Sequence, residues 1–170
     1  MSYPQIYKAS LEEAESRNET ELFHVSHRLN IACKEAVETA IRDNYDGKHL
    51  NKDCFRPVME EYGAGRLEWV LANTLQQKNY DGRFSHNNKD WAGTIRIPES
   101  RANGIDLRRR FMVDSHPALL DGFVNLVRRE LAAREMQEHG GQKPSIKGQL
   151  SAPSLPGTSP VERKPDREVR

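Results

Sequence analysis

Cysteine is scarce in this 170-residue chain: Cys33 and Cys54 are the only two. Neither belongs to a CxxC pair or to another zinc-holding spacing, so no structural zinc site is expected. No long apolar run occurs, which argues against a membrane-spanning helix. The opening MSYPQIYKASLEE has no basic stretch followed by an apolar one, so export is not expected and a cytoplasmic location is. A Walker loop, a G-x-G-x-x-G turn and a G-x-S-x-G elbow are all missing. A strong excess of one charge is missing too. The net charge is +1, and it divides unevenly along the chain. Residues 140–170 hold six basic and three acidic side chains, leaving 20 basic and 22 acidic ones in residues 1–139. Duplex-binding domains draw most of their affinity from basic side chains on phosphates, so a nucleic-acid role here needs a local patch or the tail.

Proline is abundant in one place. Five of the nine prolines, and no aromatic residue, fall in GGQKPSIKGQLSAPSLPGTSPVERKPDREVR. A segment of that composition buries too little apolar surface to offset its ordering entropy. Residues 140–170 are therefore expected to be a disordered tail, and residues 1–139 a single helical domain. In that domain, Ser10 and Glu13 have the spacing of a capping box and predict a short helix. Leu22, Val25, Leu29, Cys33, Ala36, Val37, Ala40 and Ile41 recur at threes and fours. They predict an amphipathic helix of about 20–24 residues, ending near Asp46-Gly47. The Cys33 thiol falls on its apolar face, as a small hydrophobe. A third helix through CFRPVMEEY is expected to be capped by Asn51 or Asp53. A fourth carries Leu67, Val70, Leu71 and Leu75, with Trp69 at its flank. TIRI (94–97) and FMV (111–113) are the β-like runs and are expected to pair as a minor ribbon. A last helix is expected to start at Ser115 as N-cap, with Pro117 in its first turn and Leu120, Phe123, Val127 and Leu131 on one face. The fold class is mainly α: a bundle of four to five helices with at most a minor two-stranded β element.

The densest chemistry lies in NYDGRFSHNNKDW, residues 79–91. WVLANTLQQKNYDGRFSHNNKDWA resembles the central segment of an uncharacterised bacterial family, a domain of unknown function, with the pattern YDGRFSxxNxxWA. SHPALLDGF resembles its closing helix start, and YKASLEEAESRNE its opening. The resemblance covers most of residues 5–135 and implies a setting rather than a mechanism: an integrative and conjugative element of gut Firmicutes. It carries no catalytic residues with it.

The motif admits three readings. As a hydrolase or metal-dependent nuclease it would use His86 with Asp81 or Asp90, but adjacency does not give Ser85 and His86 a triad's geometry, and SHNNKD supplies one histidine without a second ligand. As a structural device, Asp81-Gly82 makes a tight turn, Ser85 or Asn87 caps a short helix carrying Trp91, and Arg83 pairs with Asp81, Asp90 or helix-end carbonyls. As a recognition surface it shows Arg83, Asn88, Lys89 and Trp91 to another protein. His24 and His27, preceded by Glu21, lack the second E-x-x-H helix of a di-metal site. Neither metal nor cofactor is expected. Arg96, Arg101, Arg108, Arg109 and Arg110 form the sharpest basic cluster and are the alternative, nucleic-acid site. The leading expectation is a non-enzymatic protein-interaction module, an accessory of a mobile element, in its specific form a counter-defence inhibitor of restriction or CRISPR.

Overall fold

The computed structural model describes residues 3–140, with the side chains of residues 139 and 140 excepted. The expected disordered tail lies outside the described residues, apart from Gly140, which closes the last helix. Six α-helices and one short antiparallel strand pair occur among the described residues. None of those helices is long and apolar enough to cross a membrane.

Helix α1 (Leu11–Ser16) starts as its sequence dictates. The Ser10 hydroxyl accepts from the Glu13 N–H at 3.1 Å, and the Glu13 carboxylate accepts from the Ser10 N–H at 3.3 Å. Helix α2 (Thr20–Asp43) has the expected length, but its buried face is rotated from the expected one. Phe23, Ser26, Asn30, Cys33, Val37 and Ile41 face inward, whereas Leu22 is 58 % and Val25 37 % exposed. The reason is Arg66, whose guanidinium is buried against α2 and needs polar acceptors there. It donates to the Ser26 carbonyl at 2.9 Å, to the Ser26 hydroxyl at 3.2 Å and to the Asn30 side-chain oxygen. Its second nitrogen reaches the Pro4 and Gln5 carbonyls at 3.3 Å. The N-terminal strap is thus tied down through its backbone.

Helix α3 (Arg56–Tyr62) has no side-chain cap. The Asp53 carboxylate pairs with Arg56 at 2.9 Å instead, and Asn51 accepts from the Asp53 N–H at 2.8 Å, so both expected caps serve the preceding turn. Gly63 separates α3 from α4 with φ +90°, and a β-carbon there would sit 2.9 Å from the Tyr3 ring. Helix α4 (Ala64–Gln77) is buried almost all round, Trp69 included, which makes it the central helix. Its polar side chains hold neighbours. Thr74 accepts from the Val113 N–H at 2.9 Å, and Asn73 donates to the Arg108 carbonyl at 2.8 Å.

The strand pair is not the expected one. Strands β1 (Arg101–Ala102) and β2 (Ile105–Asp106) pair with Arg101 opposite Asp106. Asn103 and Gly104 join them with φ +55° and +78°, the signs a two-residue type I′ turn requires. Thr94 instead closes α5 (His86–Gly93), and Phe111 ends a 3-10 helix (Leu107–Phe111), so TIRI and FMV never meet as strands. Helix α6 (Pro117–Gly140) starts one residue later than expected. His116, not Ser115, fills the cap position: its carbonyl accepts from Leu120 at 2.9 Å and its Nδ1 from the Ala118 N–H at 3.2 Å. The chain divides after Arg128 into two compact units. The described part of the second is the rest of α6, where Arg134 pairs with Glu130 at 2.9 Å.

Candidate functional site

The motif folds into a turn followed by α5. The turn is built by a side chain rather than by glycine. Asp81 accepts from the Arg83 N–H at 2.9 Å and takes the Arg83 guanidinium on both oxygens at 3.0 Å. Gly82 is not among the residues with positive φ. The Arg83 guanidinium, followed by its backbone N–H and helped by Lys89, holds the Asp81 carboxyl down at about 2. A carboxylate that acidic is a weak base at neutral pH.

Ser85 caps α5: its hydroxyl accepts from the Asn88 N–H at 3.3 Å. Its own N–H donates to Asp121 on α6 at 3.0 Å. Asn88 is fully buried. Its amide nitrogen donates to the Asp121 carboxylate at 2.8 Å and to the Asn125 side-chain oxygen at 3.0 Å, and its oxygen accepts from Arg128 at 2.8 Å. Its amide nitrogen and its oxygen are both engaged inside the fold, so Asn88 does not stand on a surface as the recognition reading requires. Arg128 also reaches the Asn87 carbonyl at 3.3 Å and places its guanidinium 5.6 Å from the centre of the Trp91 ring. Trp91 is half-buried, Lys89 likewise, and Arg83 is exposed. The charged partner of the Trp91 ring is therefore Arg128. His86 and Asp90 lie exposed one helical turn apart, while Asp81 is occupied by Arg83. Among the described residues, no three His, Cys, Asp or Glu side chains gather as a metal site.

Sequence reasoning alone misses Asp121, Asn125 and Arg128. Their signal is present: three polar residues at spacings of four and three beside the apolar stripe of Leu120, Phe123, Val124 and Val127. Arg66 gives no signal, because an arginine at a helix start reads as solvated.

Residues 6–132 match the family model described as protein of unknown function (DUF3849). The chain belongs to that family. No curated protein and no solved structure matches it. In this DUF3849 chain the match covers α1 to α5 and the first two thirds of α6, so both sides of the Asn88 staple lie within it.

The five arginines of the DUF3849 chain differ in their freedom. Arg101 pairs with Glu99 at 2.6 Å, and Arg108 takes the Asp106 carboxylate at 2.8 Å with Glu99 at 3.8 Å. Arg96, Arg109 and Arg110 are exposed, and their side chains make no ion pair among the described residues. Both thiols are buried, and burial pushes Cys33 up to about 12 and Cys54 up to about 11, as inert hydrophobes. A cavity of about 30 Å³ lies among Tyr7, Phe23, His27, Asn30, Trp69 and Phe111. The His27 ring stacks on Phe23 at 5.8 Å and meets Phe111 edge-on at 5.7 Å. Its Nε2 is buried without a hydrogen-bond partner among the described residues.

Proposed function

We propose that this chain is a non-enzymatic protein-interaction module whose contact surface is built by the YDGRFSxxNxxWA motif. One observation carries the reading. The half-buried Ser85 and the buried Asn88 of the motif are held by α6, and the effect is to fix Trp91 and Arg128 as a half-exposed aromatic–guanidinium pair. Arg83 and Lys89 flank Asp81 nearby. Tryptophan and arginine held rigid lose little entropy on contact, which is why they recur as anchors of interfaces. The mobile-element setting implied by the resemblance makes a host defence protein, of a restriction or CRISPR system, the specific partner class.

The test is a tagged pull-down from host lysate after nuclease treatment, beside an Arg83→Ala, Lys89→Ala, Trp91→Ala variant checked for native helicity. A stoichiometric protein retained by the parent chain and lost by the variant supports the reading; equal capture by both sinks it. Arg96, Arg109 and Arg110, exposed and without an ion pair among the described residues, favour a second reading, nucleic-acid binding. It predicts capture that nuclease abolishes, that weakens steeply with salt, and whose salt slope flattens in Arg109→Ala, Arg110→Ala.

A further inference from the structure

Helix α2 has a second apolar stripe that the core does not use. Leu22, Val25, Leu29, Ala32, Ala36 and Ala40 share one face, turned by about 100° from the buried one at 100° per residue. Leu22 and Val25 are exposed, and Leu29 and the three alanines are half-buried. The stripe is graded along its length. Its first half is bulky, and its second half is alanine. Those alanines form one wall of an open groove of about 460 Å³ between α2 and α3, with Pro57, Val58 and Tyr62 across from them.

The geometry points to self-association through this face: two copies pairing α2 against α2, antiparallel, about a two-fold axis beside the Ile31–Ala32 peptide. Two features select a second copy as the occupant. The first is shape. An antiparallel partner lays its Leu22, Val25 and Leu29 over the alanine-walled groove of the other copy, bulky against small at both ends. The second is charge. Glu21 and Arg42 lie equally far on either side of Ile31–Ala32, and so do Arg28 and Glu35. All four fall on the same flank of the stripe at helical spacing. In an antiparallel two-fold pair that flank meets its own copy, so Arg28 faces Glu35, and Glu21 faces Arg42, in both directions. Within one chain these groups are weakly engaged among the described residues: Glu21 and Arg28 are 3.9 Å apart and largely exposed, and Arg42 meets Asp43 at 3.5 Å and Thr39 at 3.4 Å.

None of these residues belongs to the motif, so the α2 face and the proposed partner surface are independent. Sedimentation of the full chain over a wide concentration range tests the pairing. The apparent mass is expected to rise from one chain toward two. Leu22→Glu, at an exposed position, is expected to leave a folded monomer. Arg28→Glu is expected to weaken the dimer about tenfold by setting like charges opposite each other. Arg28→Glu with Glu35→Arg is expected to restore it, because the swapped pair is again complementary only in the antiparallel arrangement. Three results each overturn the inference: a monomer at every concentration, as residues 141–170 covering the face themselves would give; a dimer indifferent to Leu22→Glu; or a charge swap that fails to rescue.

Discussion

The Asn88 amide nitrogen stands 2.8 Å from the Asp121 carboxylate, joining the first turn of α5 to the start of α6 across 33 residues of chain. Asp121 also receives the Ser85 N–H, so one carboxylate holds both the cap and the first turns of α5. Asn88→Ala takes a donor away from Asp121 and from Asn125 and an acceptor away from Arg128. The expected loss of unfolding free energy is roughly 1–3 kcal/mol, read from urea denaturation. Asn88→Asp is expected to cost more than alanine at neutral pH, because it sets a second carboxylate against the first. A neutral result for either variant would show the staple to be incidental.

Arg66 gives a sharper expectation. It is buried with five neutral oxygens around it: three on α2 and two in the N-terminal strap. Arg66→Leu removes that donor from the Asn30 side chain and the Pro4 and Gln5 carbonyls, while the Ser26 hydroxyl keeps the Tyr7 N–H at 3.0 Å; the cost is roughly 1–3 kcal/mol for each acceptor left bare that water does not reach. Arg66→Leu is therefore expected to unfold at lower urea than Asn88→Ala. Arg66→Lys is expected to recover only part of the loss, since an ammonium lacks the planar fork that serves α2 and the strap together. Hydrogen exchange adds a readout: protection of residues 5–9 is expected to fall before that of α4.

These two side chains also mark how far the fold is legible in the sequence. Ser10–Glu13 and the alternation of threes and fours locate α1, α2, α4 and α6, because those signals are local. The phase of α2 is not legible. Leu22 and Val25 satisfy hydrophobic periodicity as well as Phe23 does, while Ser26 and Asn30 face inward to Arg66, far along the chain, and Ser26 also to the Tyr7 N–H. The hairpin is written in Asn103-Gly104, but β-branched residues in TIRI draw the expected strand elsewhere. Within the motif, Ser85 and Arg83 act on neighbours and are readable. Asn88 acts on α6, and nothing local separates a surface asparagine from a staple.

The His27 ring carries a pH dependence. Burial, with the charges of Arg110 and His24 in support, lowers its pKa below the usual histidine value near 6.5. The unfolded chain therefore takes up a proton at a higher pH than the folded one. Stability is full above about 6.5 and falls as the pH drops from there toward the depressed folded value. Urea midpoints between about pH 7.5 and 5 are expected to decline, and His27→Phe, which keeps a ring between Phe23 and Phe111, is expected to flatten that decline. An unchanged slope in His27→Phe would assign the titration to another group.

The Asn88 staple has a practical corollary for anyone cutting the gene into pieces. The motif is one half of a clasp, and the other half is encoded downstream at Asp121, Asn125 and Arg128. A fragment that stops before residue 121 carries every letter of YDGRFSxxNxxWA, yet its Asn88 lacks all three of these partners and its tryptophan the Arg128 guanidinium. As a peptide or graft, the motif is a phrase without its verb; the shortest transplantable unit runs through the first three turns of α6.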